Sequence, residues 1–434
     1  MDPEQHVPAA GDGRDLAVVH GRASAGTAAQ SAPRGGLVAW GAGDGLALFE
    51  PAAARGHGRY AAPVLRSRAA ALLNVKSPAA REPSRCTSCD RAPRVFAVVL
   101  LLTVAACGHP GAAGVRAGSE AVAEPALVWP AAPERPRIRY RATVATPTDI
   151  GVRPPLWRRV VDAFTGAPSP RVRQPYGVAV DSTGRLFVAD VAARGVHVFD
   201  AGRGRYAFRD RARRTRFDSP VGVAVSPDGG SFITDAASGA LYHLDAAGRE
   251  VWRRDRAGRR PTGIALDAAR GQLYVVDTPA HEVLVYDTLG ALRRRLGGRG
   301  TALGFFNYPT NIAVARDGTV YITDSMNFRV QSFGWDGAPR ASFGRHGDGP
   351  GEFERAKGIA VDSEGHLYVV DGLRDMVNIY SPAGRLLLTF GSEGHGRGQF
   401  WLATGIAIDR HDRIYVADSF NSRVQVFQYL PGPL

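Results

Sequence analysis

The carboxylates best suited to chemistry in this 434-residue chain recur at fixed intervals: Asp190, Asp235, Asp277, Asp324, Asp371 and Asp418, separated by 45, 42, 47, 47 and 47 residues. A carboxylate can serve as general base, nucleophile or metal ligand, but a reaction centre is one place, and a residue present in six equivalent copies is placed to hold a repeated turn. These acids are therefore expected to be structural, accepting turn N–H groups or pairing with arginines such as Arg329 and Arg423. A functional site should instead interrupt the repeat. The position before the repeat glycine reads Tyr176, Val221, Thr262, Thr310, Lys357 and Thr404, and Asn311 replaces the glycine itself in the fourth copy. Tyr176, Asn311 and Lys357 are thus the candidates to line a small central binding cleft. The histidines, among them His197, His281, His346 and His395, are scattered over different strands and turns with no pair at ligand spacing. No metal site, no catalytic set and no cofactor is expected.

Cysteine chemistry points elsewhere. Residues 95–106 (VFAVVLLLTVAA) form a twelve-residue apolar run preceded by Arg91 and Arg94 and followed directly by Cys107. The run is shorter than the ~20 residues a membrane helix needs, and small residues before a cysteine suit a signal peptidase whose product carries diacylglycerol on the thiol. Cys107 is the expected lipid attachment site. The order Val104, Ala105, Ala106, Cys107 is similar to a lipobox, with Val104 where Leu is commoner, and Gly108 in place of Asp favours the outer membrane or its periplasmic face. Residues 1–94, rich in Ala, Gly, Pro and Arg, are expected to be disordered or untranslated, with translation starting nearer Val75. Cys86 and Cys89 lie there as a lone CxxC, which cannot complete a four-ligand zinc site. Residues 108–133, rich in Ala and Pro, read as a tether, and residues 134–434 as the folded domain.

The elements that must position the repeated residues follow from the copies: PYGVAVDSTGRLFVAD from Pro175, PVGVAVSPDGGSFITD from Pro220, PTGIALDAARGQLYVVD from Pro261, PTNIAVARDGTVYITD from Pro309, AKGIAVDSEGHLYVVD from Ala356 and ATGIAIDRHDRIYVAD from Ala403. Short runs of branched and aromatic residues alternate with turn residues, so each copy is strand, turn, strand, turn, strand, usually with a fourth strand such as 385–390. A period of roughly 40–50 residues of this kind predicts an all-β propeller of six blades. The first strand of each copy has Ala at its middle (Ala179, Ala224, Ala265, Ala313, Ala360, Ala407), as crowding near a central axis requires. The sixth copy lacks a fourth strand. The alternating segment 136–144 (PRIRYRATV) is expected to supply it and close the ring, and 157–164 (WRRVVDAF) to form a short amphipathic helix.

These copies resemble NHL repeats: P-x-G-I-A-V-D, a strand ending in V-x-D, N-x-R-V-Q-V-F, and the inter-blade loops 343–353 (FGRHGDGPGEF) and 390–400 (FGSEGHGRGQF). The likeness is fullest in copies four to six, with Asn327 and Arg329, and Asn421 and Arg423, as the N-x-R elements. The lead-in around Trp129, Pro130, Pro133, Pro136, Arg137, Ile138 and Tyr140 is similar to that of bacterial NHL lipoproteins. The resemblance implies a six-bladed scaffold and leaves activity open, because many functions sit on propellers. Peptidyl-hydroxyglycine lyases, which resemble this family, carry disulfides and a histidine-bound metal, and gluconolactonase-type propellers carry a central Glu, Asn and Asp calcium site. This chain offers neither set.

The formal charge is +13, and the segment from Glu134 onward holds 41 basic and 31 acidic residues, a net +10. Arginines cluster at 203–216, 253–260 and 293–299 with few interleaved aromatics, Tyr206 and Phe208 in the first cluster. That pattern fits a solvated rim or an anionic partner better than nucleic acid, although some NHL propellers bind RNA. The expectation is a monomeric, lipid-anchored envelope propeller that binds a protein or envelope component without catalysis. The alternatives are a lyase or hydrolase using the central channel, or an RNA-binding propeller if the chain is not exported.

Overall fold

The computed structural model describes residues 126–153, 164 and 170–432. The amino-terminal extension, the apolar run with Cys107, and the expected helix at 157–164 except Phe164, which is exposed, lie outside the described residues.

The described chain forms an all-β ring of six antiparallel sheets. Each blade is a meander, because short runs of Val, Ile and Tyr alternate with four- or five-residue turns, and neighbouring strands in sequence pair in space. Blade one comprises Pro175–Val180, Leu186–Asp190, Gly195–Asp200 and Arg205–Arg209. Blades two to five begin with Pro220–Val225, Pro261–Asp267, Pro309–Val314 and Ala356–Val361 and repeat the same order. Every innermost strand contacts the innermost strands of the blades on both sides, so the ring is closed.

Closure is made as the sequence predicts. Blade six contributes Ala403–Ile408, Arg413–Asp418 and Arg423–Tyr429, and its outermost strand is Ile138–Val144, paired antiparallel with Arg423–Tyr429 through Ile138 opposite Tyr429 and Val144 opposite Val424. A further two-residue strand, Val128–Trp129, pairs on the outside of it. The Trp129 ring lies 5.8 Å from those of Phe390 and Phe427. Part of the segment read as a tether is therefore built into the propeller edge.

The core is distributed in six clusters, each between two adjacent blades. Tyr368, Val370 and Ile379 of blade five, for example, meet Ile414, Val416 and Phe427 of blade six. No blade buries its faces alone, so the ring gains stability as a sequence of interfaces. Ala179, Ala224, Ala313 and Ala360 are buried at the crowded innermost strands, while Ala265 and Ala407 are partly buried.

Two kinds of connection share one end of the ring: the turns from second to third strands, and the passages from each outermost strand to the next innermost strand. The passages in blades four to six each bury a phenylalanine, Phe306, Phe353 and Phe400. Gly344 shows why glycine opens such a loop: its φ is +99° and an added Cβ would sit 2.6 Å from the Phe353 ring.

Candidate functional site

The six strand-ending aspartates are all buried, from 0% to 1% exposed. Each carboxylate accepts backbone N–H groups from the segment that leads into its own blade. Asp190 accepts from Arg173 and Gln174 at 2.6 and 3.1 Å, Asp371 from Glu354 and Arg355 at 2.8 and 2.9 Å, and Asp418 from Trp401 at 2.8 Å. The expectation that they are structural holds.

The N-x-R motif completes this arrangement. In blade six, Asn421 Nδ2 and Arg423 Nε donate to Asp418 at 2.9 and 2.7 Å, and both side chains also donate to carbonyls of the preceding passage, Gly394 and Gly396. Gln425 Nε2 joins them at 3.1 Å. Blade four repeats the set with Asn327, Arg329 and Gln331 on Asp324. The glutamine stands in the N-x-R-V-Q-V-F motif, but the sequence reading gave it no role. Its signal was the two-residue spacing from the arginine, which puts both side chains on one face of the third strand. Blade five departs from the motif, with Arg374, Met376 and Asn378 at the three positions.

Blade one solves the same problem differently. His197 occupies the glutamine position, with Nε2 3.2 Å from Asp190 and Nδ1 2.9 Å from the Tyr206 hydroxyl. Burial works against ionisation of Asp190, but the bonds from His197 and from the N–H groups of Arg173, Ala193 and Gln174 outweigh it and hold the carboxyl below its ordinary range.

A second network joins the blades. The threonine before the repeat glycine pairs with the hydroxyl after the strand-ending aspartate: Thr262 with Thr278 at 2.7 Å, Thr310 with Ser325 at 2.9 Å, and Thr404 with Ser419 at 2.8 Å. Each pair donates to backbone carbonyls at the start of the next blade. Thr278 reaches Pro309 O at 2.7 Å, Ser325 reaches Ala356 O, and Ser419 reaches Pro175 O. Blades one, two and five carry Tyr176 with Val191, Val221 with Ala236, and Lys357 with Gly372 instead.

The centre of the ring is narrow. A Cβ added at Gly177, Gly222, Gly358 or Gly405 would collide with a carbonyl oxygen of the next blade, of Val221, Thr262, Thr404 and Tyr176 respectively. The axial cavity that remains is about 50 Å³ and is lined by Tyr176 and Asn311 with backbone from other innermost strands. Two of the three candidates therefore meet there. Lys357 is not among the lining residues, which corrects the expected trio. Like the threonines at its position it leans toward the end of the second strand, where a Cβ at Gly372 would lie 3.0 Å from its Cγ. Asn311 satisfies itself locally: its Oδ1 accepts from the N–H of Ile312 at 2.9 Å, and its own N–H donates to Thr323 Oγ1 at 2.9 Å.

A larger cavity of about 240 Å³ opens between blades four and five at the opposite end, lined by Asp317, Asp362 and Glu364 among others. Its buried acid, Asp362, already accepts from His366 at 2.9 Å and from the Tyr368 hydroxyl at 3.1 Å. Among the described residues no group of three or more His, Cys, Asp or Glu side chains is arranged to hold a metal ion.

The turns between second and third strands also reach into the next blade. His281 Nδ1 accepts from the N–H of Tyr308 at 3.1 Å, and Asp375 accepts from that of Leu402 at 2.6 Å. Burial pushes the Asp375 carboxyl up to about 6; the Leu402 N–H opposes this, and the charges of Glu393 and Asp418 add to it.

The fold and these networks define a six-bladed β-propeller. The NHL repeat family matches at residues 259–286, 306–333 and 400–427, so blades three, four and six of this six-bladed propeller carry NHL repeats. The match includes blade three, which lacks the N-x-R element, and omits blade five. Comparison with curated proteins gave no match. Similar solved structures include virginiamycin B lyase from Staphylococcus aureus, at 14% identity over 59% of this chain and 95% of that one, with a TM-score of 0.45. An auxiliary nutrient binding protein from Bacteroides thetaiotaomicron shares 16% identity over 60% and 70%, with a TM-score of 0.48. A nidogen/laminin complex shares 18% over 56% and 84%, with a TM-score of 0.43.

Two outcomes test this account of the networks. Asp418→Ala leaves Arg423, Gln425 and the Trp401 N–H without their acceptor and should cost about 3–5 kcal/mol in chemical denaturation; a change under about 1 kcal/mol would contradict the role assigned to it. Asp375 behaves oppositely to a paired carboxylate. It titrates near its ordinary value, about 4, when unfolded and near 6 when folded, so stability is full below pH ~4 and falls as pH rises to ~6. Asp375→Asn keeps the acceptor for Leu402 and should remove that fall, leaving the variant more stable than the parent at pH 7 by roughly 1–3 kcal/mol. Parallel stability–pH curves for the two proteins would contradict it.

Proposed function

We propose that this protein is a lipid-anchored NHL propeller of the bacterial cell envelope, attached through Cys107 and serving as a binding scaffold for a protein or an envelope component. The observation that carries the reading is the apolar run 95–106, flanked by Arg91 and Arg94 and ending on Cys107. A run of that length suits a cleaved export signal, and the thiol is the acceptor atom for the lipid. The propeller offers its loops as contact surface, and binding residues are concentrated on loops carried by rigid scaffolds. An axial cavity of about 50 Å³ has room for a few waters. Organic ligands occupy pockets of roughly 300–1,000 Å³, so the ring centre supports surface binding over chemistry in the channel. The strand-ending acids, being fully engaged in turns, support the same reading.

Membrane fractionation of the natively expressed protein beside its Cys107→Ala variant tests the anchor. The parent should sediment with membranes and extract into detergent, and the variant should be released in soluble form or accumulate as uncleaved precursor. Identical soluble behaviour of both would overturn the reading and restore the basic surface as a candidate RNA site.

A further inference from the structure

Thirteen large hydrophobic side chains are exposed among the described residues; eight lie between residues 303 and 420, and all of these but Trp335 are at one end of the ring. This is the end that carries the turns after the second strands and the passages into the innermost strands. Phe305, Tyr308, Met326, Leu373, Trp401 and Phe420 are each 38–50% exposed there. They form an arc over blades four to six: the N–H of Met326 donates to Asn307 O at 3.0 Å, that of Phe420 to Trp401 O at 3.1 Å, and the Trp401 and Phe420 rings are 5.5 Å apart. The same end of blades one to three carries arginines. Arg171, Arg173, Arg213, Arg214, Arg259 and Arg260 are exposed and have no carboxylate partner among the described residues. One end of the propeller thus has a half rich in exposed apolar and aromatic residues, which also carries Arg299, Arg345 and Arg397, and a half with arginines and no such arc.

We infer that this end of the propeller lies against an anionic lipid surface, with the aromatic arc seated at the headgroup level and the arginines of blades one to three on lipid phosphates. Trp, Tyr and Phe with adjacent arginine are the side chains that partition into the interface of a bilayer. Each unpaired cation near such a surface adds attraction that decays within a Debye length. Glu354 and Glu393 are exposed beside the arc, so the attraction has to come chiefly from the arginines of blades one to three. Nucleic acid fits less well, because a stacking platform is built of aromatic rings, whereas this arc includes Leu and Met.

The chain's own course supports a lipid surface over a protein partner. The described propeller begins at Ala126 on the outer edge of blade six, and Leu127 and Trp129 pack against Gly398, three residues before Trp401. Eighteen residues lie between Cys107 and Ala126, a reach of at most about 65 Å even when fully extended. An anchor at Cys107 therefore holds the propeller within that distance of a bilayer. The inference rests on the anchored reading for this proximity, but the surface can be tested without the lipid.

The test is flotation of the full chain carrying Cys107→Ala, made without lipid, on vesicles of phosphatidylcholine alone and of phosphatidylcholine with about one quarter phosphatidylglycerol. The protein should float with the anionic vesicles and be released as salt rises from about 0.1 to about 0.5 M. Adding Trp401→Ser and Phe420→Ser should lower partitioning roughly tenfold while thermal melting stays unchanged. Replacing Arg213, Arg214, Arg259 and Arg260 by Gln should remove the preference for anionic vesicles. No flotation on either vesicle, or equal flotation of the Trp401/Phe420 variant, overturns the inference, as does binding of a protein partner through the arc by a chain that never floats. Failure of the anchored reading is seen separately, as a native protein without lipid on Cys107 whose unlipidated form still floats.

Discussion

Every blade depends on one buried carboxylate that accepts the N–H groups of the chain coming in from the preceding blade. An aspartate without solvent is costly unless its lone pairs are filled, and here the fillers are the backbone of the incoming segment. The charge is thereby converted into a positional constraint: the innermost strand can begin only where those N–H groups meet the carboxylate. In blades four and six, Asn, Arg and Gln side chains add bonds from the same carboxylate to the passage above it. Blade one reaches the same end with His197 and Tyr206.

Closure follows from that placement. With each innermost strand fixed at its start, the strands crowd the axis so closely that four repeat glycines face carbonyl oxygens of the next blade. Hydroxyl pairs then latch blades three to four, four to five and six to one. The axial space left is too small for an organic ligand, and contact with other molecules falls to the loops. The loops differ from blade to blade, which is how a nearly symmetric ring acquires an apolar, aromatic arc on one half of one end.

Much of this was legible in the sequence. The period of the aspartates predicts six blades, and the missing fourth strand of the last copy together with the alternation of 136–144 predicts where the ring closes. The structural role of the acids was also legible, because repetition argues against a unique site. Lys357 shows where such reading runs out. Its position before the glycine was visible, but the direction of its side chain depends on Gly372 in the neighbouring strand, which a one-dimensional pattern does not place beside it. The aromatic arc was invisible for a related reason: Tyr308, Met326, Leu373, Trp401 and Phe420 come from different loops and share a surface only after the ring has closed.

The functional account turns on Cys107, because the proposed envelope anchor would limit the possible partners. The most direct measurement is the intact mass of the protein isolated from its native membrane. The account predicts a chain that begins at Cys107 and carries diacylglycerol on its thiol. A chain that retains Met1 and bears no lipid would contradict it.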